Sequence, residues 1–165
     1  MHVYTIIVVD YSPKVDMEYS YCSQSSVAWN NNYDCYAAID GNSHSLWATE
    51  REAAGAWIQI DFDDTYQISK MLIMHAYYQN MFKDITLEFS SGSPAYSTLR
   101  DFSNVPQHGR YFMWSKVDIP GKRITKFVKV TATSATSSTS MGFREIVIFG
   151  GSLPGIIYEF SNKIL

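Results

Sequence analysis

The stretch Trp57-Ile-Gln-Ile-Asp-Phe62 alternates apolar and polar positions. That is the period of a half-buried β-strand, whose successive side chains face opposite sides of a sheet. Ile85-Thr-Leu-Glu-Phe89 repeats the pattern and stops at Ser90-Ser-Gly-Ser-Pro94, a turn by composition. Residues 68–75 are more continuously apolar, and residues 111–117, 127–133 and 145–149 complete a set of short strand-like runs. Short strands separated by turn signals predict an antiparallel sandwich. Helix signals are sparse. Residues 49–57 hold enough helix formers for one turn, and no longer 3.6-residue pattern follows. Residues 131–140 are almost wholly Thr, Ser and Ala and read as a strand end followed by a surface loop.

These runs divide the chain without any internal repeat. Residues 1–20 read as an N-terminal arm with one strand-like run (4–9) and a turn at Ser12-Pro13. Residues 21–150 form the body, and 151–165 a C-terminal tail beyond Gly150-Gly151. A chain of 165 residues, 46% apolar, has room for one sizeable core. The net charge of −3 and the lack of a basic stripe argue against nucleic acid, whose phosphates need clustered Lys and Arg. No segment reaches the ~20 apolar residues of a helical membrane span. The run at 4–9 lacks the basic start and small-residue cleavage site of a signal peptide. A secreted form therefore implies a signal already removed, or a piece of a larger chain. No Asn-x-Ser/Thr acceptor occurs.

Composition adds two further points. The 12 Tyr, 9 Phe and 4 Trp suit a core, and they also suit rigid contact surfaces. The only two cysteines, Cys22 and Cys35, lie 13 positions apart in a loop-rich chain, which favours a disulfide over two buried thiols. Closing so short a loop contributes roughly 3 kcal/mol. Zinc is disfavoured, because the four histidines are scattered. No Gly-x-Ser-x-Gly elbow, phosphate loop or His-Glu-x-x-His helix is present, so the chain reads as non-catalytic.

Three consecutive motifs carry a family resemblance. Ala38-Ile-Asp-Gly-Asn42, Ser45-Leu-Trp47 and Trp57-Ile-Gln-Ile-Asp61 resemble the signature of the discoidin family, also called coagulation factor 5/8 type C domains or family 32 carbohydrate-binding modules. Phe89-Ser-Ser-Gly-Ser93, Phe127-Val-Lys-Val130 and the run from Gly142 to Gly150 follow in the family's order. The resemblance covers residues 21–150 and implies an eight-stranded antiparallel jelly-roll β-sandwich with ligand-binding loops at one end. Many members join the two ends of the domain by a disulfide. Here no cysteine follows Cys35, and the short loop before the Asp40 turn is similar to that of a sugar-binding member.

The resemblance also implies a structural calcium, with sodium as second choice. Its ligands would be the carboxylates of Asp40 and Glu145, Ser45 through hydroxyl and carbonyl, and the backbone carbonyls of Ala37, Asn42 and Arg144. Two carboxylates among neutral oxygens suit a hard cation. A hydrogen-bonded turn with no ion is the alternative, since Asp and Asn bond their own backbone in turns.

Sugar-binding members often carry a His after the motif Trp and an Arg on a later loop. Here Ala48 follows Trp47, and residues 75–82 contain no Arg, which leaves galactose unsupported. Aromatic and amide side chains stand in those places. Trp29, Asn31 and Asn32 form one candidate ligand loop; Tyr77, Tyr78, Gln79, Asn80 and Phe82 form another; Glu50 and Arg51 stand beside them. Rings that stack and amides that bind hydroxyls fit a glycan or glycoprotein partner. Trp47 and Trp57 read as core, and His75 as the end of a buried strand. The implied role is that of a secreted, carbohydrate-recognising adhesion module. Other extracellular protein subunits are an alternative partner. Membrane lipid, met by Trp29, Met81 and Phe82, ranks lower because only Lys83 and Arg51 would greet anionic headgroups.

Overall fold

The computed structural model describes residues 12–27, 33–50, 54–76, 82–92, 98–102, 114–135 and 141–152. Among them are seven strands: β1 (Tyr21–Gln24), β2 (Trp47–Ala48), β3 (Trp57–His75), β4 (Phe82–Ser90), β5 (Thr98–Phe102), β6 (Trp114–Ala135) and β7 (Gly142–Ser152). The alternation at residues 57–62 is realised directly: Ile58, Ile60 and Phe62 are buried, while Trp57, Gln59 and Asp61 are partly exposed.

Two long strands make the sandwich. The first part of β3, residues 57–61, lies between β1 and residues 127–131 of β6, and β4 and β5 continue that layer. The second part, residues 66–75, lies between β7 and residues 114–125 of β6, and β2 joins the far side of β7. All pairs are antiparallel. β3 and β6 thus serve both layers, and the described residues make seven strands. Each long strand breaks register where it changes layer. In β3 the corner is held by Asp63 and Asp64, whose Oδ1 atoms accept the backbone N–H of the next residue. In β6 it falls between Thr125 and Phe127, where Thr125 Oγ1 accepts the Phe127 N–H; a separate register shift, between Asp118 and Arg123, holds Gly121 (φ 74°) and Lys122 (φ 43°), backbone space that glycine enters at little cost.

The core between the layers collects Ile58, Ile60, Met71, Ile73, Leu87 and Val130, with Trp47, Phe82 and Phe143 at one end. Trp47 is fully buried and donates its indole N–H to the Ser26 carbonyl at 3.2 Å. Trp57 is only half-buried, under Lys129, whose ammonium lies 4.7 Å from the ring centre. β2 approaches β7 so closely that a Cβ at Gly142 would run into the Trp47 carbonyl.

Cys22 on β1 and Cys35 are disulfide-bonded, with Cα atoms 6.0 Å apart. Cys35–Ala38 is a short 3₁₀ turn capped by the Asp34 carboxylate, which accepts the Tyr36 N–H. The helical turn expected at 49–57 does not form in its described part: residues 54–55 make a tight turn, with Gly55 at φ 93°, and β3 starts at Trp57. Of the arm, residues 12–20 are described. Val15 N–H donates to the Ile148 carbonyl and Gly150 N–H to the Pro13 carbonyl, which lays this stretch along β7.

Candidate functional site

The sequence Asp40-Gly-Asn-Ser-His-Ser45 folds back on itself through oxygen acceptors. Asp40 Oδ1 accepts the Asn42 N–H at 2.8 Å, and the Asn42 carbonyl accepts the Ser45 N–H at 3.0 Å. Gly41, at φ 76°, supplies the left-handed residue the reversal needs. Ser45 Oγ stands 2.9 Å from Asp40 Oδ1 and 2.5 Å from the Asn42 carbonyl. A hydroxyl has one proton, so it satisfies one of those two acceptors at a time. Three oxygens therefore converge with one hydroxyl proton among them, beside the two backbone N–H donors.

Arg144 and Glu145, consecutive on β7, meet this turn. The Arg144 side chain is buried and donates from Nε to the Ala76 carbonyl (3.0 Å) and from Nη1 to the Ser43 carbonyl (3.1 Å). It ties the turn to the end of β3. Sequence reading named Arg144 only for its carbonyl and missed this brace, for which the sequence carries no signal. Glu145 is 3% exposed, and neither carboxylate oxygen has a hydrogen-bond partner. Burial, followed by the nearby Asp40 carboxylate, pushes its pKa up to about 7, against weaker opposing pulls from the Lys14 charge and from the Gly41 N–H, which faces the carboxylate outside hydrogen-bond geometry. An acid this deep is costly to ionise without a counter-charge. Asp40, Asn42, Ser45, Arg144 and Glu145 are thus assembled in one place, and Ala37 lies in the 3₁₀ turn leading into it. Among the described residues no three His, Cys, Asp or Glu side chains cluster. Any cation here would be held by two carboxylates plus hydroxyl and carbonyl oxygens.

The candidate ligand loops start from one end of the sandwich. Ala76 N–H donates to the Gly142 carbonyl, Thr49 N–H to the Met141 carbonyl, and Ser25 N–H to the Trp57 carbonyl. Phe82 pairs in register with Ala135. Trp29, Asn31, Asn32, Arg51, Tyr77, Tyr78, Gln79 and Asn80 themselves lie outside the described residues, as does Met81. Glu50, at this end, is exposed. Phe82 overturns its expectation as a ligand or lipid contact. It is fully buried, stacked on His75 at 4.4 Å and edge-on to Phe143 at 5.2 Å. As the first residue of β4 it points into the core, where burying an aromatic ring is worth more than exposing it. His75 ends β3 as a buried residue, its Nε2 2.6 Å from Ser115 Oγ and its pKa lowered to about 4 by burial.

The family model for the F5/8 type C domain matches residues 21–146. The chain belongs to the F5/8 type C domain family. A comparison with curated proteins finds no match. Among solved structures, this F5/8 type C domain is similar to one from a Bacteroides fragilis protein, with 17% identity and a TM-score of 0.69 over 86% of this chain and 98% of that one. It is also similar to the family 32 carbohydrate-binding module of Clostridium perfringens NanJ, solved in complex with galactose: 13% identity, TM-score 0.67, 84% and 99% covered. A fucolectin from striped bass serum gives 15% identity and a TM-score of 0.64 over 82% of this chain and 48% of that one. At these identities the likeness establishes the fold.

Proposed function

We propose that this F5/8 type C domain is a non-catalytic, extracellular carbohydrate-binding module. It would recognise glycan or glycoprotein through the loops at one end of the sandwich and so support adhesion. The observation that carries the reading is the convergence of the loop anchors at residues 25, 49, 57, 76, 82, 135 and 141–142 on one end of the sandwich. Aromatic and amide residues follow those anchors in sequence, and two solved neighbours of the same fold are a module bound to galactose and a fucolectin. The buried Ser115–His75 pair supports a non-catalytic role. Both residues are enclosed, and His75 Nδ1 has no acid to orient it, whereas a nucleophile–base pair must reach substrate.

A structural calcium belongs to the same reading. Asp40, Ser45 and Glu145, with the carbonyls of Ala37, Asn42 and Arg144, would hold it. Once bound, the cation would neutralise the two facing carboxylates and join the first turn to the last strand. The unpartnered Glu145 carboxylate and the proton-poor Ser45 contacts support that fit.

The loss of Phe82 from the surface weakens the lipid alternative, which keeps only Trp29 and Met81. A glycan array run beside sedimentation with phosphatidylserine vesicles tests the proposal. Glycan binding without vesicle binding is the expected result. Vesicle binding without any glycan would replace the reading with the lipid one, and binding to neither would favour a protein partner.

A further inference from the structure

The outer face of the second layer is left partly open by the described residues. Leu72 pairs with Lys116 and Val147, and Lys70 with Asp118 and Phe149, so these side chains share one side of the sheet. Their chain neighbours Met71, Ile73, Val117 and Ile148 are buried in the core, so that side points outward. Side-chain contacts agree: the Lys70 ammonium lies 4.3 Å from the centre of the Phe149 ring, and Lys116 pairs with Asp118 at 2.9 Å. Leu72, Val147 and Phe149 are only half-buried. At the two ends of the same face Trp114 pairs with Met74, and Ile124 with Gln67. Trp114 is 41% exposed and Ile124 50%. A contiguous apolar stripe of this kind marks a contact surface.

β7 carries the chain to the lower edge of this face and ends at Ser152. The tail, 153–165, lies outside the described residues, but its route is constrained where it starts. On one side of β7, residues 150–152 pair with residues 66–68 of β3. On the other, the arm occupies residues 148–150. Ile146 and Ile148 fill the core side. A chain that turns back along β7 therefore meets the outer face. The reversal is written in the sequence, because Pro154-Gly155 is the central pair of a type II turn. After it, Ile156, Tyr158 and Phe160 alternate with Ile157, Glu159 and Ser161, which puts the first three on one side of an extended chain. Ten extended residues reach about 33 Å, and the face from residue 152 back to residue 145 spans about 23 Å. The apolar run at 4–9 has no Gly or Pro between it and Ser12 to turn it onto the face.

We infer that the tail folds back at Pro154-Gly155 and docks Ile156, Tyr158 and Phe160 on the outer face of the second layer, over Leu72, Val147 and Phe149. Removing both apolar surfaces from water drives the contact. The docked tail crosses Phe149, the residue that Lys14 of the arm bridges, and so clamps the arm to β7. The face becomes an internal contact, closed to a glycan or a second copy, and the loop end is left as the recognising surface.

The test uses the full chain with Ser161→Cys carrying a nitroxide label; the new thiol is the only free one, because Cys22 and Cys35 are bonded to each other. Amides at 70–72, 116 and 147–149 should lose more than half their intensity relative to the reduced label. Adding Ile156→Asp and Tyr158→Asp should restore most of it. Broadening confined to 150–152, which leaves the tail undocked, would overturn the inference. So would broadening confined to residues 3–9, or broadening at the face that the two aspartates leave unchanged. Equal broadening in an isotope-enriched parent chain mixed with the labelled one would place the tail on a second copy and overturn it as well.

Discussion

His75 and Glu145 are buried one register step apart, on β3 and β7, and they meet burial in opposite ways. Met74 pairs with Glu145, and His75 with Phe143. His75 sheds its charge: its pKa falls to about 4, its Nε2 pairs with Ser115, and its ring stacks on Phe82. A neutral imidazole costs the core little. Glu145 has no such exit. Its pKa rises to about 7, it faces a second carboxylate, and its oxygens have no hydrogen-bond partner. One site has shed its charge and leaves a single ring nitrogen, Nδ1, without a partner; the other leaves two carboxylate oxygens and is arranged for something positive. The difference separates core from site better than residue type does, because both are ionisable groups at strand ends.

The strongest way to break the comparison is through the ring that His75 leans on. Phe82→Ala should destabilise the domain by about 3–5 kcal/mol, the cost of a cavity in a packed core, measured by urea unfolding. A loss below about 1 kcal/mol would return Phe82 to the surface. The next effect concerns Glu145. Calcium at a hundredfold excess over its dissociation constant should stabilise chelator-stripped protein by about 2.7 kcal/mol, seen as a higher melting temperature. Glu145→Gln should abolish that increment while leaving the chelated protein within about 1 kcal/mol of the parent. An equal calcium shift in parent and variant would remove Glu145 from the site.

The third effect is pH-dependent. His75 has a folded pKa near 4 and an ordinary value of 6.5. Between those values the unfolded chain binds the extra proton. Stability from this residue is therefore complete above about pH 6.5 and is lost as pH falls toward 4, at up to about 1.4 kcal/mol per pH unit. Chemical unfolding of the parent and His75→Gln across that window should show the steeper slope in the parent. Parallel slopes would mean that His75 keeps its proton in the fold.

Much of the fold was legible because strand burial has a period. Residues 57–62 alternate in sequence and alternate in the structure, whereas in 85–89 the apolar Ile85, Leu87 and Phe89 are buried as expected but Thr86 is buried with them, leaving only Glu88 partly exposed. The oxygen-rich turn was legible because Asp40, Gly41, Asn42 and Ser45 each have a local chemical reason to be there. Phe82 was misread because it follows the aromatic run 77–81; only its register with Ala135 reveals that β4 has begun. The layer-switching of β3 and β6 was hidden because a bend inside a strand looks, in sequence, like a turn between two. Arg144 gave no sign of its brace, since its acceptors are the backbone carbonyls of distant residues. The alternation of buried Val15 and Met17 with exposed Asp16 and Glu18 was present and passed over.

The central claim is a division of labour: the Asp40–Glu145 turn is scaffold, and the adjacent end of the sandwich recognises a neutral glycan. Backbone amide shifts on titrating the array's strongest neutral glycan test it most directly. The account predicts that perturbations concentrate at Ala48, Glu50, Ala76 and Phe82 and spare residues 40–45. Shifts centred on 40–45, with the loop-end amides unmoved, would contradict it.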